Sequence, residues 1–507
     1  MNASMKSARL FVCLMVLLTA IHLVPVARAQ DASPVASDGS FAAAPCMVAL
    51  PFGFTEGADA GCGWLTVPLK HENPTGPTIK LAVVHLKATG SNPVAEPLIF
   101  LNGGPGGSMA TWPLPAFAQG YYSFAPLLER QDVIIFDQRG AGASQPALSC
   151  GLPASATTGG IAYPDVPACL RDLTQSGTDL TAFRTEENAA DVDSLRSALG
   201  YQKVDLLGAS YGTRLALEVM RDFPESIRSV VLSSPMPPEV DPFSGQLIGF
   251  NNALDAIFAD CAADSGCDVA YPNLNESLET GFNRLNGVPA VVKAASQFGG
   301  GDAEITLDGP EYMAVIYSIV YSGLVSELPS LISQVSTGHY EALSPWLTLS
   351  QGLFSGLSLG DFYSTICQDE APFSDRPTAS DAAENTGVRS IFLNKKVQNL
   401  LWIGNLGICD AAALPSSPPD ENEPVHSDIP TLIMTGEYDP ITPPSNGELL
   451  MSDLSNATLI NVSGQSHTQL QNGGACTVGI AAAFLADPLQ SPSLACLDMI
   501  FPTFEVS

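Results

Sequence analysis

The 507-residue sequence predicts an α/β architecture: a mostly parallel central sheet flanked by helices. Three observations carry that prediction. Short apolar runs recur within 97–101, 132–136 and 431–435, the first of them wholly apolar, and such runs mark strands buried on both faces of a parallel sheet. Helical stripes lie between them, such as Val192, Leu195 and Leu199, closed by Gly200. The apolar run 204–207 breaks into Gly208-Ala209-Ser210-Tyr211-Gly212, and a helical pattern starts at once.

Residues 1–29 read as a signal peptide. Lys6 and Arg9 precede an apolar stretch at 10–24, and Ala27-Arg28-Ala29 is a small-x-small cleavage site before Gln30. The stretch is shorter than the ~20 residues that span a bilayer. No later stretch reads as a membrane span, so an exported protein, secreted or periplasmic, is expected. Residues 30–45, rich in Ala, Ser, Pro and Asp, read as a flexible mature N-terminus. Eleven cysteines less Cys13 leave ten, an even number suited to disulfides in an oxidising compartment. Sequence alone leaves the connectivity open; neighbour pairing gives Cys46–Cys62, Cys150–Cys169, Cys261–Cys267, Cys367–Cys409 and Cys476–Cys496. No Cys-x-x-Cys pair exists and the histidines are scattered, which speaks against zinc. The formal net charge of −31 becomes −34 once Lys6, Arg9 and Arg28 are removed. Such acidity repels a phosphate backbone, so nucleic acid is excluded as a partner.

From residue 46 the elements follow in order. Strands at 63–70 and 78–87 flank the turn Asn73-Pro74-Thr75-Gly76-Pro77. The strand at 97–101 runs into Asn102-Gly103-Gly104-Pro105-Gly106-Gly107-Ser108. This loop fits neither dinucleotide nor P-loop spacing. Its bare backbone suits an oxyanion hole, where N–H groups must approach a developing alkoxide closely. Gly103 or Gly104 would supply one donor and Tyr211 the other; the sequence does not choose between the glycines. The strand at 132–136 ends in a charged turn in which Asp137 and Arg139 are expected to hold the loop beside those glycines. After the helix at 187–199, the Ser210 turn and its helix, a strand at 227–232 follows. Then strand–helix alternation stops for nearly 200 residues of mainly helical pattern, including 312–333 and 387–401. The sheet resumes at 431–435, ends with a strand at 457–462, and is followed by a helix near 477–485. The organisation is thus a core at 46–238, a helical cap at 239–428 and a core continuation at 429–507, with no internal repeat.

Gly-x-Ser-x-Gly between a strand and a helix is a nucleophile elbow. The sharp turn lifts the Ser210 hydroxyl clear of the sheet at a helix N-terminus, whose dipole favours negative charge. A serine needs a base, and the base needs orienting. Of the histidines after Ser210, His339 lies in the cap and His426 in a Pro/Glu-rich linker, whereas His467 follows the last strand. The acid belongs at the end of the preceding strand, where Gly436-Glu437-Tyr438-Asp439-Pro440 offers two carboxylates. Asp439 is the candidate and Glu437 the alternative. Ser, acid, His is the chain order of the α/β-hydrolase fold.

With these residues placed, the chain resembles the secreted branch of the prolyl aminopeptidase and tripeptidyl aminopeptidase family of α/β-hydrolases. The matching segments are Gly103 to Ser108, Asp137-Gln138-Arg139-Gly140 with Gly142 and Ser144, Gly208-Ala209-Ser210-Tyr211-Gly212-Thr213-Arg214, and Asp439-Pro440-Ile441-Thr442-Pro443. One departure is Asn102, where intracellular prolyl aminopeptidases carry histidine. The resemblance implies a serine aminopeptidase that cleaves residues or short peptides from a free N-terminus, without metal or organic cofactor. It also implies anionic groups in the cap for the substrate ammonium, and Asp369 and Glu370, in Cys367-Gln368-Asp369-Glu370, are the candidates. The spacing of Tyr317 and Tyr321 fits either a pocket lining or core packing, and core packing is the favoured reading. An esterase or lipase would use the same three residues, and a non-catalytic binding protein would keep the fold without needing them.

Overall fold

The computed structural model describes residues 39–117, 124–150, 165–295, 302–352, 356–374, 387–400 and 406–506. The proposed signal peptide lies outside them. The strands are β1 (Ser40–Ala43), β2 (Ala60–Pro68), β3 (Thr78–Leu86), β4 (Leu98–Leu101), β5 (Val133–Phe136), β6 (Val204–Ala209), β7 (Ile227–Ser233), β8 (Ala290–Ala295), β9 (Asp302–Leu307), β10 (Thr431–Gly436) and β11 (Ala457–Val462). Nine form one sheet in the order β1-β2-β3-β5-β4-β6-β7-β10-β11. From β5 to β11 every pairing is parallel, while β1, β2 and β3 pair antiparallel at one edge.

Every residue of β4, β5, β6 and β10 is buried, as their mostly apolar runs lead one to expect, and the one charge among them, Asp205 in β6, is paired with Arg228 and Ser229. Side chains alternate between two cores. Leu98, Phe100, Ile135, Leu207 and Met434 face one layer with Phe484, while Ile99, Ile134, Leu206 and Ile433 face the other with Leu195 and Leu215. The second layer is built by α1 (Thr185–Ala198) and α2 (Tyr211–Asp222).

Residues 40–43, read from sequence as flexible chain, instead form an edge strand: Ser40 to Ala43 pair antiparallel with Thr66 to Gly63. Between β7 and β10 lie, among other helices, α3 (Pro242–Ala263), α4 (Gly309–Tyr321) and α5 (Leu359–Asp369). They enclose their own apolar core, in which Phe250, Leu278, Ile316 and Phe392 are buried. Two features differ from the sequence reading. A hairpin, β8 and β9, lies within this mainly helical cap. The helix expected at 312–333 is two helices, broken after Tyr321 at Gly323, where φ is 71°. The start of α4 is a capping box, Asp308 accepting from the Glu311 N–H and Glu311 from that of Asp308. Five disulfides join sequence neighbours, in the pairing given above. Among the described residues no helix is long and apolar enough to cross a membrane.

Candidate active site

Because β6, β7, β10 and β11 are parallel neighbours, their C-terminal ends share one edge of the sheet. Ala209 stands opposite Ser233, Ser233 opposite Met434, and Gly436 opposite Val462. Ser210 follows β6 directly, and Asp439 and His467 stand in the loops that leave β10 and β11.

Ser210 has φ 54° and ψ −127°, a left-handed conformation unusual for a residue with a Cβ. The turn is tight enough to dictate its neighbours. A Cβ at Gly208 would lie 2.4 Å from the Gly212 carbonyl oxygen, and one at Gly212 would lie 2.0 Å from that of Leu101. Tyr211 opens α2, so its backbone N–H is among the first-turn donors without an intrahelical acceptor. Its phenol is buried and lies 3.0 Å from the Thr185 hydroxyl.

The glycine loop leaves β4 beside this turn. A Cβ on Gly103 would sit 3.0 Å from Ser210 Cβ. The Gly103 N–H, however, donates to Asn102 Oδ1 at 2.9 Å, while Asn102 Nδ2 donates to the Trp112 carbonyl at 2.7 Å. Of the two glycines, Gly104 is therefore the better candidate donor to an oxyanion, and its φ of 121° is accessible because it lacks a side chain. Asp137 holds the loop, accepting from the Met109 N–H at 2.6 Å and the Ala143 N–H at 2.7 Å. Burial pushes its carboxyl up to about 6 against the pull of these donors. Arg139 is buried in a fork on Asp191, at 2.7 and 2.8 Å, and also donates to the carbonyls of Leu69 and Ala182.

His467 Nδ1 lies 2.9 and 3.0 Å from the two Asp439 carboxylate oxygens, and both side chains are buried. Asp439 also accepts from the N–H groups of Ile441 and Thr442 and from the hydroxyls of Thr442 and Ser234, all within 3.0 Å. Burial alone would raise this carboxyl. The imidazole and these donors outweigh it and hold Asp439 below the usual carboxylate range. Ser234 links three strands' ends: its hydroxyl donates to Asp439, accepts from the Thr468 N–H at 2.8 Å, and contacts the Gln469 amide. Glu437, the alternative acid, is turned elsewhere. It accepts from the Ser463 hydroxyl and the Gly464 N–H, both at 2.8 Å, and so ties down the turn before His467.

A cavity of about 470 Å³ opens above this edge, between the glycine loop and the cap. Ser210, Gly103, Gly104 and Thr468 form the sheet side; Gln246, Tyr317, Tyr321, Leu357, Phe362 and Ile366 come from the cap. No acidic or basic side chain is among the described residues lining it. Asp369 and Glu370, expected to meet a substrate ammonium, are not there. Asp369 accepts from Thr185 (N–H at 2.9 Å, hydroxyl at 2.6 Å) and from the Ser417 hydroxyl at 2.5 Å. Glu370 lies 3.1 Å from Arg214 Nε, and burial pushes its carboxyl up to about 8 despite that cation. Asp369 is thus engaged where α5 meets the start of α1, and Glu370 where α5 meets α2. Tyr321, read from sequence as core, lines the cavity and stacks on His467. Ser234 and Thr442 were given no role by sequence reasoning, though Thr442 sits in a motif that pointed toward it; for Tyr321 the pocket-lining alternative, not the favoured core packing, is what the structure shows.

The chain is 27% identical over 467 residues to the serine protease Hip1 of Mycobacterium tuberculosis, covering 85% of this chain and 86% of that one. It is 33% identical over 196 residues to the tripeptidyl aminopeptidase of Streptomyces coelicolor, covering 36% of each. Carboxylesterase B of Mycobacterium tuberculosis is 28% identical over 233 residues, covering 41% of this chain and 43% of that one. The model of the alpha/beta hydrolase fold matches residues 96–471. With its parallel sheet, its elbow and a cap inserted before the strand that leads to Asp439, the chain belongs to the alpha/beta hydrolase fold family.

Proposed function

We propose that the protein is an exported serine peptidase that releases residues or short peptides from free N-termini, with Ser210 as nucleophile, His467 as base and Asp439 as the acid that orients it. The observation that carries this reading is the buried Asp439–His467 pair, anchored across strand ends on the sheet edge that also bears the strained serine elbow, where Ser210 lines the cavity. His467 takes the Ser210 proton as Oγ attacks the scissile carbonyl. The N–H groups of Tyr211 and Gly104 receive the charge that develops on its oxygen. The imidazolium, steadied by Asp439, then returns its proton to the leaving amine, and water activated by His467 hydrolyses the acyl-enzyme. Export through residues 1–29 accords with the five disulfides.

A peptide substrate is favoured by the breadth of the match to a serine protease and by the tripeptidyl aminopeptidase similarity. With Asp369 and Glu370 engaged elsewhere, the substrate ammonium has neutral acceptors. Asn446 donates its amide to the Pro235 carbonyl at 3.0 Å and Gln246 donates to Tyr317; both residues line the cavity, and their amide oxygens are the acceptors this reading assigns. A charge-assisted hydrogen bond of about 1.5–3 kcal/mol gives roughly a ten- to hundred-fold preference for a free amine. The uncharged lining and the carboxylesterase B similarity favour a second reading, hydrolysis of carboxylic esters. A free-amine aminoacyl arylamide assayed beside its N-acetylated counterpart separates them. Faster turnover of the free amine is expected; equal turnover of both, or activity only on fatty-acyl esters, overturns the aminopeptidase reading. Fluorophosphonate labelling that survives Ser210→Ala would remove the nucleophile assignment.

A further inference from the structure

The cap reaches the residues proposed for catalysis by more than enclosing them. Tyr321, the last residue of α4, lies face to face with the His467 imidazole, with ring centroids 4.9 Å apart and planes inclined by 30°. Tyr317, one turn earlier, stacks behind it at 6.1 Å, and the Tyr317 hydroxyl accepts from Gln246 at 2.5 Å. Phe250 and Phe392 continue the row into the cap core, each step 5.2 Å. The same end of α4 holds the residue before the histidine, since the Ser466 hydroxyl donates to the Val320 carbonyl.

We propose that Tyr321 is a positioning residue, supplied by the cap, that fixes the His467 ring and stabilises its cationic form through the aromatic face. The inference rests on His467 being the base. A cation within about 6 Å of a ring centroid is attracted by the ring's quadrupole, more strongly where water is excluded. The imidazolium exists only after the Ser210 proton has moved, so this attraction favours the transition state over the ground state. Among the described residues, Asp439, at Nδ1, and Tyr321, across the ring, are titratable groups that face the imidazole. Burial, helped by Asp439, pushes the Tyr321 phenol well above its ordinary range, so the ring stays neutral.

The experiment follows acylation by p-nitrophenyl acetate, which both amide and ester hydrolases accept, from about pH 4 to about pH 9. Tyr321→Phe keeps the face and is expected to retain the rate within about twofold and the acidic limb in place. Tyr321→Leu and Tyr321→Met, two fillings in case one fails to fold, should lose about two- to thirty-fold in rate. Their acidic limb should move to lower pH by about 0.4 to 1.5, because the protonated ring has lost its partner. A rate loss with the limb unmoved would mean packing alone, and would overturn the proposal. So would a Phe variant as impaired as the Leu one. His467→Ala separates the layers: if it stays active, the base assignment falls and this inference with it; if it is dead while the limb of the Leu variant stays put, only this inference falls.

Discussion

Gly212→Ala tests how the chemistry is held. A methyl there would lie 2.0 Å from the Leu101 carbonyl oxygen, 2.7 Å from its carbon and 3.0 Å from the Asn102 oxygen. Ordinary C···O contacts begin near 3.3 Å, so the elbow helix and the end of β4 must part by about 1 Å. All the crowding atoms are backbone, and no rotamer change relieves them. Alanine gains about 1 kcal/mol of helix propensity over glycine, against about 1–3 kcal/mol for overpacking. The fold should therefore lose at most about 2 kcal/mol. Activity should fall much further, because Leu101 leads directly into the loop carrying Gly104. A misplacement of about 1 Å costs on the order of a hundredfold in rate, similar to loss of one oxyanion donor. Expected is a drop in kcat of roughly a hundredfold with KM nearly unchanged, alongside a urea melt that reports a folded protein. A variant with kcat within about threefold of the parent would refute the idea that this contact sets the oxyanion loop against the nucleophile.

Four further outcomes are expected. Glu370→Gln should leave KM for a free-amine arylamide within about twofold, since its carboxyl meets Arg214 rather than the cavity; a tenfold rise in KM would return Glu370 to the substrate. Thr442→Val removes a hydroxyl that donates to Asp439 at 2.8 Å and should lower kcat by about tenfold or more, read from steady-state rates with KM as the control. Replacing Cys367 and Cys409 with serine opens a loop of sequence separation 42 and should lower stability by about 4 kcal/mol, visible as a drop in Tm. Finally, buried acids with raised values make the fold more stable in acid than in alkali. Asp137, raised from 3.8 to about 6, binds its proton more tightly folded than unfolded. Its contribution is present below pH 3.8 and is lost as pH rises through about 6, a change of about 3 kcal/mol. Glu370 extends the loss toward about 8. Asp439, held low, acts oppositely, its contribution lost as pH falls through its folded value. Urea midpoints should thus fall between about pH 5 and about pH 9, and a rising trend would contradict these burials.

The parallel sheet was legible because β4, β5 and β10 are buried on both faces and carry no polar interruption. Ser210, Asp439 and His467 were legible because a strand order links them to one edge. What escaped was every feature decided by distant partners. Asp369 and Glu370 read as a free acidic pair, yet Thr185 and Arg214, more than a hundred residues away, absorb them. The strand at Ser40–Ala43 is too short to show periodicity and exists because Gly63 to Thr66 offer it an edge. Tyr321 looked like core because the spacing Tyr317–Tyr321 is that of any buried helix face; only the position of His467 reveals where the helix ends.

The cavity has two walls of different kinds. The sheet side is carried by Gly103 and Gly104 with Ser210, and just beneath it backbone meets backbone at Gly208 and Gly212, with no room for even a methyl group. On the cap side the lining is side chain: Gln246, Leu357, Phe362 and Ile366. Descendants of this chain can therefore change diet by ordinary point substitutions in the roof, each reversible and each leaving the reaction intact. The floor admits no such experiments, and the tyrosine at the hinge between the two marks where that freedom stops.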